Sequence, residues 1–275
     1  MSRAGTVRSG ATTCSRVSRA DRRIRSRPKD RHSIEIMPDV GRCSVASALR
    51  EETLAGTAPE ARRWVLIEHP GPWAKAPLDT PPLAGSLGQR LDQALTDFGA
   101  KVLLVRRTGR QEDSQTRLWR VVDTATGLSL SGLWRTERDL EVLLPALAGC
   151  AGPLSEPCPE MVLVCTHGVR DACCAIKGRP IAGAVAKALA SSDVEVLECS
   201  HLNGHRFAGT ALTLPDGLCY GRLDQSDAPK VMKAHAEGRV WPDKLRGQTG
   251  LVGAAQAAHV WGLRELATRT GSTGV

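Results

Sequence analysis

Apolar runs and amphipathic stretches alternate along the chain from residue 45 onward. VASALREETLAGTAPEARRW reads as a polar-faced helix, and WVLIEH (Trp64 to His69) is a short apolar run halted by PGPW, the pattern of a buried strand. A helical stretch over Leu83 to Phe98 follows, then strands KVLLV (Lys101 to Val105) and LWRVVD (Leu118 to Asp123). A helix TERDLEVLLPALAG is predicted to open at Thr136, whose hydroxyl can cap it, with Glu137 and Asp139 in the first turn. Such an order of elements is α/β material.

The segment GCAGPLSEPCP, rich in Gly and Pro, separates this half from a second one and reads as a linker. Two α/β domains are therefore expected, at residues 37–149 and 160–275. The second half opens on the buried-strand run MVLVCT and the loop HGVRDACCAIKG. A helix predicted from Pro180 comes next, followed by the strand VEVLEC and the loop SHLNGHRFAG. TALTL-PDG-LCYGRL has the pattern of a hairpin, and helical stretches at Ser226 to Glu237 and Leu251 to Thr268 complete the chain. Both halves share a rough strand, helix, strand, paired-strand order, which hints at duplication.

Charge changes the picture only at the N-terminus. Residues 1–36 hold ten Lys/Arg against three Asp/Glu, which is +7 of the formal +8, so the remainder is close to neutral. The basic residues lie in a Ser/Arg/Gly segment and not on a folded face, which argues against a nucleic-acid partner. That segment reads as a disordered tail, an organellar transit peptide, or an upstream extension of a chain starting at Met37. No run approaches the eighteen or so apolar residues of a membrane span, and the expected location is cytoplasmic.

Nine cysteines, none spaced as CxxC, in a chain without an export signal read as free thiols and possible ligands. The absence of CxxC weighs against a thiol oxidoreductase acting through Cys173 or Cys174. Two loops that leave strand C-termini hold the best donors. Cys165 ends MVLVC with Cys174 nine positions later, and His201 and His205 follow VEVLEC. Two thiolates and two imidazoles suit zinc or an iron-sulfur cluster. The histidines have zinc-module spacing but the cysteines do not, and the wide cysteine loop suits a two-iron cluster. Spacing alone does not choose between Cys173 and Cys174.

CTHGVRDACCAIKGRP (Cys165 to Pro180) and ECSHLNGHRFAGTALTLPDGLCYGRL (Glu198 to Leu223), with WVLIEHPGPW and WPDKLRGQTG, resemble the sucrase/ferredoxin-like proteins, a branch of the thioredoxin-like ferredoxins. The resemblance covers roughly residues 41–270. It implies a thioredoxin-like ferredoxin domain at 160–275 with a 2Fe-2S cluster, Cys165 and Cys174 on one iron and His201 and His205 on the other. It also favours Cys174 over Cys173. The function it implies is electron transfer between donor and acceptor proteins that the sequence does not name, a redox carrier more than an enzyme with its own substrate. The rival is a structural zinc protein using the same four ligands. His167 reads as a supporting or solvent-facing residue, Cys199 as core, and Cys14, Cys43, Cys150, Cys158 and Cys219 as thiols without a role. Glu68 and His69 read as turn structure. Arg170, Lys177, Arg179 and Arg206 surround the ligand loops, where they would favour an acidic partner or simply face water.

Overall fold

The computed structural model describes residues 42–109, 115–149, 152–271 and 274; the basic segment 1–36 lies outside the described residues. Helix α1 (Cys43–Leu49) is shorter than the pattern predicts, and the chain leaves it through Glu51 in the left-handed region (φ 50°). β1 (Arg63–Glu68), α2 (Ser86–Asp97), β2 (Ala100–Arg107) and β3 (Arg117–Asp123) fall where expected. β4 (Leu128–Trp134) was not foreseen. At Thr136 a 3-10 turn (Glu137–Val142) precedes α3 (Leu143–Leu147), and Asp139 Oδ2 accepts the Thr136 N–H at 2.9 Å. β5 (Glu156–Pro157), β6 (Met161–Cys165), α4 (Ala172–Ala188), β7 (Glu195–Cys199), β8 (Ala211–Leu214), β9 (Leu218–Tyr220), α5 (Ala228–Ala236), β10 (Leu245–Gln248) and α6 (Gly253–Thr270) follow.

The ten strands of the described residues join one sheet in the order β10-β9-β8-β6-β7-β2-β1-β3-β4-β5. The two halves repeat one topology. β1 and β2 run parallel across α2, with β3 and then β4 antiparallel beyond β1; β6 and β7 run parallel across α4, with β8 and then β9 antiparallel beyond β6. The halves meet antiparallel along β2 and β7, from Val105 opposite Cys199 to Arg107 opposite Leu197. Arg106 Nη2 lies 2.7 Å from Glu198 Oε2 in this seam. The expected domains at 37–149 and 160–275 thus share one continuous sheet, and the segment read as a linker supplies β5, paired to β4.

Strand alternation explains how the sheet is covered. From β1, Val65 and Ile67 face a core built with α2 and α3, and from β6, Val162 and Val164 face a core built with α4, α5 and α6. On the opposite face Trp64 and Leu66 join Met161, Leu163 and Cys165 in a third core that crosses the seam. Period two therefore sends Cys165 to the face that both halves share. Among the described residues no helix is long and apolar enough to cross a membrane.

Asp123, 2 % exposed, sits beside the guanidinium groups of Arg62 and Arg63 at 3.2 and 3.3 Å. Burial alone would raise its pKa, but the Ala125 N–H and the two arginines outweigh that and hold it below the usual carboxylate range. A depressed folded-state pKa contributes stability above the ordinary carboxylate pKa, and that stability fades as pH falls through the folded value. Asp123→Asn should therefore cost about 1.5–3 kcal/mol at pH 7 and less near pH 3. Urea unfolding at both pH values checks this, and an equal deficit at each would sink it.

Candidate metal centre

Cys165 closes β6, and six residues later Asp171 caps α4, its Oδ1 accepting the Cys173 N–H at 2.8 Å. The helix thus begins at Ala172, eight residues before the expected start, and Pro180 lies inside it. Cys173 and Cys174 both sit in its first turn, where successive side chains diverge by about 100°. Cys174 faces Cys165 and His201, whereas Cys173 faces Cys43 across 3.8 Å. Gly178, one turn on, lets the helix approach the strand end. A Cβ there would stand 2.0 Å from the Cys165 carbonyl oxygen.

The second loop is pinned at its start by Ser200, whose N–H donates to Leu104 O at 2.8 Å and whose Oγ accepts the Leu104 N–H at 3.0 Å. Asn203 and Gly204, both in the left-handed region (φ 56° and 70°), reverse the chain between the two histidines. The His201 and His205 rings stack with centroids 5.9 Å apart. Beneath this turn lies Arg246, 1 % exposed. Its Nη1 donates to Asn203 O (3.1 Å) and Cys219 Sγ (3.4 Å), its Nε to Thr57 Oγ1 (3.2 Å), and its Nη2 to Thr57 O. A side chain on Gly204 would meet Arg246 Nη2 at 2.6 Å, so this glycine serves both the turn and the arginine.

Cys165 Sγ, Cys174 Sγ and His201 Nδ1 lie within 4.8 Å of one another, with His201 Nδ1 3.9 Å from Cys165 Sγ and 3.7 Å from Cys174 Sγ. His205 is not in this trio and groups instead with Cys43 and Asp171. The Cys174 S–H, hydrogen-bonded to Cys165, lowers the Cys165 pKa against the effect of burial, and the same bond together with burial raises Cys174. Two sulfurs and an imidazole nitrogen make a donor set that could hold a metal of the borderline or soft class once both thiols are deprotonated.

His167 is buried and does not face solvent. Its Nε2 lies 2.9 Å from Ala74 O and its ring stands edge-on to Trp73 at 5.7 Å, tying the ligand loop to the WVLIEHPGPW segment. Burial lowers its pKa. Cys199 is fully buried in the core. His69 Nε2 lies 2.9 Å from Pro81 O, and Glu68 Oε2 accepts the Leu118 N–H, so both serve local structure. Arg170, Arg179 and Arg206 are exposed, Lys177 half-buried. A cleft of about 570 Å³ opens beside His201, with Lys75, Lys101 and Arg170 among its lining residues. Sequence reasoning missed Cys43 and Arg246, because each meets the ligand loops only through contacts distant in the chain.

The residue pattern of the sucrase/ferredoxin-like proteins matches residues 54–247, well over half of the chain. The chain belongs to this family. Among curated proteins, Altered inheritance of mitochondria protein 32 from Meyerozyma guilliermondii is 30 % identical over 96 residues, covering 32 % of this chain and 34 % of that protein. The chain matches about a third of that relative's length. Among solved structures, a thioredoxin-like 2Fe-2S ferredoxin from Aquifex aeolicus aligns at 17 % identity and TM-score 0.27, over 29 % of this chain and 81 % of that one. Two variants of the same ferredoxin align at TM-score 0.26, covering 88 % of theirs. In this member of the sucrase/ferredoxin-like family, the motifs CTHGVRD and HLNGHRFAG occupy the two loops that meet at the donor trio.

Proposed function

We propose that this protein is an electron carrier holding a 2Fe-2S cluster through Cys165, Cys174, His201 and His205. The observation that carries the reading is the arrangement of donors at two neighbouring strand ends. Three lie together, and the fourth, His205, stacks beside His201 but falls outside the 4.8 Å group. A single tetrahedral ion needs all four donor atoms within about 4 Å of one another. Two irons spread their ligands more widely, which suits a trio with a displaced fourth. When bound, such a cluster supplies one-electron redox chemistry. The protein supplies two thiolates, two imidazoles and a buried guanidinium under the histidine turn. Exposed Arg170, Arg179 and Arg206 would favour an acidic donor or acceptor protein, in the cytoplasm on the reading of its composition.

Cys165→Ser and Cys174→Ser should each lose the iron, the acid-labile sulfide and the visible absorption, whereas Cys173→Ser should keep most of all three. The motivation is that Cys174 faces the trio and Cys173 faces Cys43. Iron kept by Cys174→Ser and lost by Cys173→Ser would reverse the assignment.

A second reading rests on the trio itself. Cys165, Cys174 and His201 with a water would make a mononuclear zinc site open towards the cleft. Metal analysis separates the two: iron with equivalent sulfide supports the cluster, and colourless protein with zinc supports the second reading. A thiol oxidoreductase is disfavoured at Cys43, since burial and the Cys173 thiol push its pKa up to about 11.

A further inference from the structure

The Cys173 thiol turns away from the trio towards a different constellation. Cys43 Sγ, an Asp171 carboxylate oxygen and a His205 ring nitrogen lie within 4.8 Å of one another. Cys173 Sγ stands 3.8 Å from Cys43 Sγ, and Asp171 Oδ2 stands 3.7 Å from it. These spacings can be compared with what candidate chemistries require. A disulfide brings its sulfurs to about 2.05 Å. A tetrahedral zinc with bonds of about 2.3 Å to sulfur and 2.0–2.2 Å to oxygen sets two thiolates about 3.8 Å apart and a thiolate about 3.6 Å from a carboxylate oxygen. The Cys43–Asp171 distance matches one edge of a zinc tetrahedron, and the His205 nitrogen lies within 4.8 Å of both.

We infer that Cys43, Asp171 and His205 form a second metal site, for a single divalent ion of the zinc class with a water as fourth ligand. Asp171 can serve it without loss to the fold, because Oδ1 holds the α4 cap and Oδ2 faces Cys43. Access is open, since His205 is exposed while Cys43 and Asp171 are half-buried. Helix α1, which brings Cys43, is held over the site from two sides. Arg222 Nη2 donates to Ser47 O at 3.1 Å, and Arg206 pairs with Glu52 at 3.1 Å. His205 belongs to both constellations. On the cluster reading above, the divalent ion and the cluster therefore exclude one another, and this exclusion rests on that reading while the site itself does not.

The test uses the full-length Cys165→Ser/Cys174→Ser chain, which lacks the trio's thiols. Zinc should remain bound, one ion per chain, and should protect Cys43 from iodoacetamide, read peptide by peptide by mass spectrometry. Adding Cys43→Ser should remove the zinc. Alkylation of Cys43 at the same rate with and without zinc, or isolation of Cys43 and Cys173 as a disulfide, would overturn the site. The iron-free native chain gives the same comparison at Cys43 if the double variant does not fold. In native protein loaded with iron and sulfide, zinc should no longer protect Cys43; protection there would overturn the sharing of His205. Failure of the cluster reading shows separately, as native protein without iron or sulfide.

Discussion

A His201→Cys/His205→Cys variant loaded with its cluster should have a reduction potential lower than the native protein by roughly 250 mV or more, the gap between plant-type ferredoxins near about −400 mV and the low end of His-ligated Rieske centres near about −150 mV. Two neutral imidazoles would be exchanged for two thiolates. The added negative charge stabilises the oxidised state over the reduced one, and at 59 mV per tenfold for one electron the shift exceeds four powers of ten in the equilibrium with a donor. Arg246 moderates this, because its buried guanidinium lies under the turn carrying both positions and binds Asn203 O. Each single variant should fall between native and double. Potentiometric titration followed by visible absorption measures it. A cluster-loaded double variant with an unchanged or higher potential would remove imidazole ligation from the account.

Gly178→Ala should be among the most damaging single-methyl changes in the protein. The added Cβ would sit 2.0 Å from the Cys165 carbonyl oxygen and 3.3 Å from Thr166 Cγ2, and the first of these is backbone that cannot turn aside. Relief requires α4 to lift from β6, which moves Cys174 away from Cys165. Overpacking typically costs about 1–3 kcal/mol, and a backbone clash of this depth belongs at or above the upper end. The expected result is a loss of roughly 3 kcal/mol in urea unfolding together with loss of bound iron. Gly183, on the same helix with open space around its Cβ position, supplies the control: Gly183→Ala should keep the iron and raise stability by up to about 1 kcal/mol through helix propensity. Native stability and iron content in Gly178→Ala would mean that the helix does not rest on the strand end.

Local pattern revealed much of this architecture. MVLVC and VEVLEC announced their strands because apolar runs need only neighbours to be read, and the hairpin around Pro215 to Gly217 carried its own turn chemistry. The start of α4 was missed because Pro180 looked like a first-turn proline, while Asp171, the residue that does cap the helix, lay inside what read as a loop. Strands β4 and β10 went unread, since LSLSGLW and LRGQ are short and interrupted by glycine. The structure brings Cys165, Cys174 and His201 within 4.8 Å of one another and leaves His205 outside that group; spacing did not separate Cys174 from Cys173, and the preference for Cys174 came from the resemblance. Cys43 could not be seen beside them, because a contact spanning 130 residues leaves no periodicity in the sequence.

The antiparallel seam between β2 and β7 has the geometry by which two copies of a protein pair edge to edge about a twofold axis. Here both units lie within one chain. The N-terminal unit fills the β7 edge of the C-terminal unit, so β10 and β5 are left as the outer strands of the sheet. The two units have also diverged in chemistry. Where β6 ends on Cys165, β1 ends on Glu68, whose carboxylate is engaged with the Leu118 N–H. The molecule is in effect an asymmetric internal dimer, one unit carrying the candidate donor trio and the other covering its edge, with Arg106 and Glu198 as the ionic clasp between them.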